Sequence, residues 1–287
     1  MKSAPVNKII PFSSVDGPGN RTAIFLQGCN IDCRYCHNPE TRELCVHCGY
    51  CVTKCPGKAL SFERDASLPT GERVIFHPEK CVSCDTCIHV CPHNSTPKGR
   101  MMTPAEVMDR VKKQIPFIRG ISVSGGECML HPDFLTELFS LAGAEGLTTL
   151  IDTNGTVSFE GKEELLSVTD GVMLDIKAFS DDEHRNVTGE TNRTVLSNAA
   201  LLGKKGKLYE VRCVIVPELY DTESSVREMG AFLKPFYESH PFRIKLIKFR
   251  SMGVRPEYMN LRSPTEEELS GLAGVLEKMG YREIICL

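Results

Sequence analysis

The stretch GCNIDCRYCHN, at residues 28–38, contains three closely spaced cysteines, Cys29, Cys33 and Cys36. Three thiolates in a C-x3-C-x2-C run can each bind one iron of a cubane [4Fe–4S] cluster, in which ferredoxin-type sites give every iron its own cysteine. One iron then keeps an open coordination position, so the predicted centre can bind a ligand as well as carry electrons. A structural zinc site that lacks one ligand, or a group of reduced packing cysteines, is the simpler alternative.

Two further cysteine runs follow, at residues 45–56 and 81–92, and both have the pattern C-x2-C-x2-C-x3-C-P. In two-cluster bacterial ferredoxins the fourth cysteine of each run binds the other cluster. A pair of zinc knuckles is the alternative, which two complete copies with both prolines disfavour. We therefore assign one predicted cluster to Cys45, Cys48, Cys51 and Cys91, and the other to Cys55, Cys81, Cys84 and Cys87.

Composition limits the class of protein. A chain of 287 residues fits one α/β barrel or two smaller domains. A net charge of −3 gives no indication of a nucleic-acid or membrane partner. We expect a cytoplasmic protein, because no apolar run has membrane-spanning length and the start lacks a signal-peptide core. The 14 cysteines fit that compartment as metal thiolates, with Cys128, Cys213 and Cys286 as packing thiols.

Residues 43–99 differ in character from the rest of the chain. They are dense in cysteine and in turn residues such as Pro56-Gly57 and Pro97-Lys98-Gly99. We predict an inserted, bacterial-ferredoxin-like domain that is held by two clusters rather than by a large core. Residues 1–42 and 100–287 would form the main domain.

Strands and helices alternate in the main domain, which predicts a parallel sheet. Predicted strands are Arg21–Gln27, Gly120–Ser124, Thr148–Asp152, Gly171–Ile176, Lys207–Val216, Phe242–Phe249 and a possible last strand at Arg282–Cys286. Predicted helices begin at Thr103, which would cap the first one, and continue with Pro132–Gly143, Lys162–Val168, Thr194–Leu202, Ser224–Leu233 and Pro264–Met279. Six or so units are too few for a closed eight-stranded barrel, so we predict a partial (β/α)6, TIM-like barrel.

Polar residues follow the strands of this sheet, where parallel β/α folds place their active sites. Glu127 suits an amino group, while Lys177 and the strand residue Arg212 suit a carboxylate. An open iron that is chelated by an amino and a carboxylate group fits methionine, and Tyr35 can pack on an adenine. S-adenosylmethionine (SAM), which serves radical chemistry, combines these groups.

These motifs resemble the radical SAM superfamily, and within it the glycyl radical enzyme activating enzymes. The overall length, the insert and KIIPFS at residues 8–13 look most like the YjjW family. The resemblance implies the radical SAM barrel as the fold. The segments that carry it are 14–21, 28–38, 123–127, 152–155, 173–177, 188–189 and 211–217.

The resemblance implies a role for each matching residue. Cys29, Cys33 and Cys36 would hold the SAM-binding cluster, and Asp16 would contact the partner's glycine loop. The set implied for SAM is Tyr35, Gly125, Gly126, Glu127, Asp152, Asp175, Lys177, Arg212 and Val214. A monovalent cation would lie among Asp152, Thr153, Met173 and Asp175. Where the family often has a histidine near SAM, this chain has Arg250, which we expect to replace it as a donor.

The implied activity is reductive cleavage of SAM to methionine and a 5′-deoxyadenosyl radical. That radical would abstract a glycine Cα hydrogen from a glycyl radical enzyme, YjjI-like for the YjjW family. The insert would relay electrons from a flavodoxin or ferredoxin, and a monomer is expected. Two alternatives remain: a radical SAM enzyme that acts on a small molecule, and a non-catalytic polyferredoxin that carries electrons.

Overall fold

The computed structural model describes residues 2–287, in which strands and helices alternate along most of the chain. The strands are β1 (Ala4–Ser13), β2 (Arg21–Leu26), β3 (Leu60–Arg64), β4 (Glu72–Phe76), β5 (Arg100–Met102), β6 (Gly120–Gly125), β7 (Thr148–Thr153), β8 (Gly171–Asp175), β9 (Leu208–Ile215), β10 (Arg243–Lys248) and β11 (Ile284–Cys286). The α-helices are α1 (Thr86–His89), α2 (Pro104–Val111), α3 (Pro132–Ala144), α4 (Glu163–Ser167), α5 (Asp181–Thr188), α6 (Arg193–Lys204), α7 (Thr222–Ser239) and α8 (Glu266–Lys278).

Nine strands form one sheet in the order β11-β10-β9-β8-β7-β6-β2-β1-β5. All pairs from β11 to β2 are parallel, while β1 runs antiparallel to β2 and β5. Because the order is a line rather than a ring, the sheet is open, as a partial barrel requires. The predicted mostly parallel α/β fold is confirmed, and β1 is a strand that the sequence patterns did not reveal.

Most residues of β2 and of β6 to β9 are buried. The first four residues of β6 are all buried. Thr103 caps α2 in a capping box with Glu106, and Pro104 occupies the first helical position, as predicted. Helix α7 continues six residues past the predicted end at Leu233 and includes Pro235. Burial of Leu233 and Tyr237 against the core outweighs the backbone hydrogen bond that this proline removes.

The segment from 43 to 99 has a different internal structure. Its hairpin, β3 paired antiparallel with β4, forms a two-stranded sheet separate from the main one. Its buried apolar cluster contains Cys51, Leu60, Val74 and Cys87. The main cluster includes residues of several helices and of every parallel strand except β11. Such a small core gives this segment little stability of its own.

Strand β1 lies near one edge of the main sheet. Strand β5 pairs with it only along Ala4–Val6, so the outer side of β1 beyond Val6 has no paired strand among the residues described. No helix within residues 2–287 combines the length and the apolar character that a bilayer crossing needs.

Candidate active site

A cavity of about 290 Å³ lies at the carboxyl ends of the parallel strands. This is where side chains from different strands converge in β/α folds. The first cysteine loop forms one wall, and the ends of β6 to β10 form the other. Of the predicted site residues, the cavity wall contains Cys29, Cys33, Tyr35, Cys36, Gly125, Gly126, Asp152, Thr153, Asp175, Lys177, Arg212 and Val214. Those outside it are Asp16, Glu127, Met173, Arg250 and the eight cysteines of the two later runs.

Backbone hydrogen bonds fix the loop of the first three cysteines. Cys29 N donates to Arg42 O at 2.8 Å, and Asp32 N donates to Thr188 O at 2.8 Å. Thr188 ends α5, a helix that the sequence patterns did not predict. The loop is therefore held between the segment that precedes the insert and the end of α5, and its shape follows from protein contacts.

Burial dominates the chemistry of these thiols. Cys33 is 8% exposed, and burial raises its pKa to about 12, with nearby Lys177 acting in the opposite direction. Since iron binds the thiolate, a metal must displace these protons when it enters. Lys177 Nζ is 2.9 Å from Asp175 Oδ2, and its fixed positive charge favours the thiolate form.

The two glycines after β6 let the protein's own backbone approach closely. Gly125 has φ +124°, and a Cβ there would lie 2.1 Å from Leu26 O. A Cβ at Gly126 would lie 2.1 Å from Gly28 O. The close approach seen in the structure is thus to the strand end that leads into the cysteine loop. Contact of these glycines with a ligand stays a prediction.

Glu127 lies behind the cavity wall and is 1% exposed. Its carboxylate accepts hydrogen bonds from Met129 N, Thr153 Oγ1 and Asn154 N, each at 2.8 Å. Burial raises the pKa of Glu127 to about 7, although these hydrogen bonds oppose the shift. The carboxylate ties the end of β7 to the turn after β6. The three hydrogen bonds that this carboxylate accepts all come from protein donors. Its pairing with a methionine amino group therefore stays a prediction.

The guanidinium of Arg212 contacts two carboxylates and one thioether on β7, β8 and β9. Its Nη1 lies 2.7 Å from Asp152 Oδ2, its Nε lies 2.6 Å from Glu210 Oε1, and its Nη2 donates to Met173 Sδ at 3.1 Å. The buried arginine thus has the anionic partners that burial demands. Two of the four predicted cation ligands, Asp152 and Met173, contact this guanidinium, so the monovalent cation stays a prediction.

Tyr35 gives the cavity an aromatic wall with one unpaired polar atom. The residue is 3% exposed, and its hydroxyl has no hydrogen-bond partner among the described residues. Lys177 Nζ lies 5.7 Å from the ring centroid. With Val214 also in the wall, this side offers an apolar surface on which a flat ring can pack.

Arg255, rather than Arg250, reaches the cavity. The Arg250 side chain is exposed, and its carbonyl oxygen lies 2.8 Å from His37 Nε2. Arg255 lines the cavity, donates to Cys33 O at 3.2 Å and pairs with Asp32 Oδ1 at 2.9 Å. No motif marks the loop after β10, so Arg255 was not predicted from the sequence, and His37 received no role although it lies in the first cysteine motif. The one local signal is Gly253, where a Cβ would lie 2.4 Å from His37 O.

Asp16 lies in the loop between β1 and β2, at the opposite end of β2 from the cysteines. Its Oδ2 accepts from Ser13 Oγ at 2.5 Å, and its carbonyl accepts from Ser122 Oγ at 2.5 Å. The predicted contact of Asp16 with a partner protein stays a prediction.

The insert contains two small cavities that are each walled by four cysteines. One is bounded by Cys45, Cys48, Cys51 and Cys91, and the other by Cys55, Cys81, Cys84 and Cys87. Each therefore takes three cysteines from one run and the fourth from the other run. No three His, Cys, Asp or Glu side chains within residues 2–287 converge closely enough for a single metal ion. A cubane spreads its thiolates over separate irons and does not need such convergence.

Comparisons with known proteins agree on one family. The model of the Radical SAM superfamily matches residues 23–229. The chain is 31% identical to the pyruvate formate-lyase-activating enzyme of Streptococcus mutans, over 97% of this chain and 92% of that protein. It is 28% identical to the indoleacetate decarboxylase activating enzyme of Tractidigestivibacter scatoligenes, over 98% and 97%. The structure of QueE from Escherichia coli is similar, with a TM-score of 0.56 at 13% identity, over 100% of this chain and 95% of that one.

Proposed function

Because the chain belongs to the radical SAM superfamily, we propose that it is a glycyl radical enzyme activating enzyme. The observation that carries the proposal is one cavity walled by three thiols on one side and by paired charges on the other. Relatives named as activating enzymes align over nearly the whole chain. A YjjW-like subgroup remains our proposal within that class.

The residues around the cavity fit a cluster and SAM. Cys29, Cys33 and Cys36 would supply three thiolates to the cluster, and the strand-end charged residues line the same cavity. Tyr35 and the apolar Val214 give an adenine a surface on which to pack. When bound, the cluster supplies one electron that splits the C5′–S bond of SAM, and the 5′-deoxyadenosyl radical takes a Cα hydrogen from a glycine of the partner enzyme.

The charged side chains hold and orient the co-substrate. Lys177 pairs with Asp175 and Arg212 pairs with Asp152, and each cation would share its remaining donors with a ligand carboxylate in a largely buried site, where charge-assisted hydrogen bonds are strong. Arg255 and the end of α5 keep the cysteine loop in place.

We also propose that residues 43–99 form an inserted domain with two more [4Fe–4S] clusters. Support comes from the two four-cysteine cavities, each of which combines both runs. The clusters would pass electrons inward from a flavodoxin or ferredoxin. A cytoplasmic location is part of the proposal, because reduced metal thiolates suit that compartment. A monomer and a monovalent cation stay predictions.

The test uses anaerobically reconstituted protein, SAM and a peptide or partner enzyme whose glycine carries deuterium at Cα. We expect 5′-deoxyadenosine to acquire deuterium and a glycyl radical signal to appear in electron paramagnetic resonance. Peptide with alanine in place of the glycine is the control. Cleavage of SAM without transfer from any glycine would favour the small-molecule alternative, and no cleavage at all would favour an electron carrier.

A further inference from the structure

A cleft of about 650 Å³ lies between the outer edge of the main sheet and the insert hairpin. Strands β1, β5 and β4 and helix α2 contribute to its walls. Its cations are Lys8, Arg73, Lys98, Arg100 and Arg110, and no Asp or Glu side chain is among its lining residues. We call this surface the basic cleft. Its charge contrasts with the net charge of −3 of the whole chain.

Nearby carboxylates, among them Glu40 close to Lys8 and Lys98, neutralise only part of this charge. Arg73 pairs with Asp65 at 2.7 Å, and Lys98 pairs with Asp85 at 2.5 Å. Glu106, close to Arg100 and Arg110, is engaged in the capping box of α2. The side chains of Lys8, Arg100 and Arg110 are exposed. A positive surface remains that can attract and orient an acidic partner.

The basic cleft adjoins both four-cysteine cavities. Cys45 lines the cleft and also the first of these cavities. Phe76 and Lys98 line the cleft and also the second. A partner that fills the cleft therefore contacts residues that also line the two four-cysteine cavities.

The same cleft is separate from the central cavity, since the two share no lining residue. A protein bound in the cleft leaves the central cavity free for a glycine loop. Addition of a strand to the open edge of β1 is disfavoured, because Lys8 and Pro11 lie on it and such residues protect sheet edges. The charge thus indicates electrostatic docking of a folded, acidic protein.

We propose that the basic cleft is the docking site of an acidic one-electron carrier protein. This rests on the proposed function, which needs an external electron for each SAM cleaved. In each encounter the carrier is oxidised by one electron, this protein is reduced by one electron, and no bond forms or breaks. The partner is defined by its negative surface and its low-potential centre, whether flavin or iron–sulfur.

Two charge-reversal variants test the site. Lys8→Glu with Arg110→Glu changes the cleft, and Lys204→Glu with Lys205→Glu makes the same change of charge at the exposed end of α6. The probe is an acidic flavodoxin, titrated into each reconstituted holoenzyme at low and high salt. We expect about tenfold weaker binding for the cleft variant at low salt, a difference that shrinks at high salt, and little change for the control.

Equal weakening in both variants, or in neither, would overturn the docking site. The neutral pair Lys8→Gln with Arg110→Gln, which we expect to show a smaller loss, replaces the first variant if that one fails to fold or to bind iron. SAM cleavage driven by dithionite separates the two proposals. We expect equal rates in all variants, because a small reductant does not need the cleft. Absence of cleavage in the unaltered protein would refute the proposed function, while the flavodoxin titration would still decide the docking site.

Discussion

The loop at residues 28–38 and the segment at residues 43–99 both carry cysteines, but the protein around them differs. Backbone hydrogen bonds to Thr41, Arg42 and α5 hold the first loop, and Cys33 is buried. In the second region Cys48 and Cys84 are exposed, and the buried apolar cluster contains only four residues.

This difference indicates two ways of building a cluster site. The first loop takes its shape from the sheet and the helices, so the thiols are in place before a metal arrives. The insert has a small core, so under our proposal much of its folding free energy would come from bound clusters. Four predictions, from the largest expected effect to the smallest, test this contrast.

Replacement of single cysteines should give the largest difference in SAM cleavage between the two regions. Cys33→Ala should abolish formation of 5′-deoxyadenosine, because two thiolates do not hold the cluster in the geometry that SAM needs. Iron should fall from about 12 to about 8 per chain. Cys48→Ala, the matched variant in the insert, should retain cleavage with dithionite and slow it with a protein donor. Full activity of Cys48→Ala with that donor would exclude an electron relay through the insert.

Alkylation of the metal-free protein compares the thiols directly. Burial raises the pKa of Cys33 to about 12, whereas hydrogen bonds from Thr86 lower the pKa of the exposed Cys84. Because the Cys33 thiolate is scarce at pH 8 and the side chain is buried, Cys84 should react faster with iodoacetamide by roughly two to three orders of magnitude. The rate at Cys33 should keep rising with pH up to about 12. Mass spectrometry of the peptides measures both rates, and buried Cys128 serves as a slow control. Similar rates at Cys33 and Cys84 would contradict the contrast.

Removal of metal should open the insert and leave the sheet folded. Hydrogen exchange after anaerobic chelation should accelerate by roughly a hundredfold in β3 and β4, equivalent to about 3 kcal/mol of lost protection. Amides of β6 and β7, within the large core, should keep their protection and form the internal reference. Unchanged exchange in β3 and β4 would show that the insert is stable without clusters.

The smallest expected effect concerns the arginine that joins the loop after β10 to the first cysteine loop. Arg255→Gln loses the contacts with Asp32 and Cys33 O, so SAM should bind about tenfold more weakly, within the usual 1–3 kcal/mol for such bonds. Arg250→Ala is the control, since its side chain is exposed and outside the cavity wall. A titration of SAM into both variants measures the two Kd values. A larger loss for Arg250→Ala would restore the role that the sequence suggested for Arg250.

Local patterns in the sequence determined much of this protein. Short runs of mainly apolar residues predicted the bounds of β6 to β10 to within a few residues. Such runs are typical of strands in parallel sheets, which are buried on both faces. The two repeated cysteine runs, with the fourth cysteine exchanged as in bacterial ferredoxins, gave the same two sets of four cysteines that line the two small cavities, and clusters there stay a prediction. The charged residues at strand ends were predicted to meet, since parallel strands end at one edge of the sheet.

Tertiary structure alone decided what lies between those elements. Strand β1 and helix α5 carry weak local signals, and only packing against the sheet and the cysteine loop fixes them. Whether Glu127 faces the cavity, and whether Arg250 or Arg255 reaches it, depends on side-chain direction in irregular loops, where no period applies. The basic cleft joins residues from β1, β4, β5 and α2 that are distant in sequence. Their charges act together only because the insert folds against the edge of the sheet.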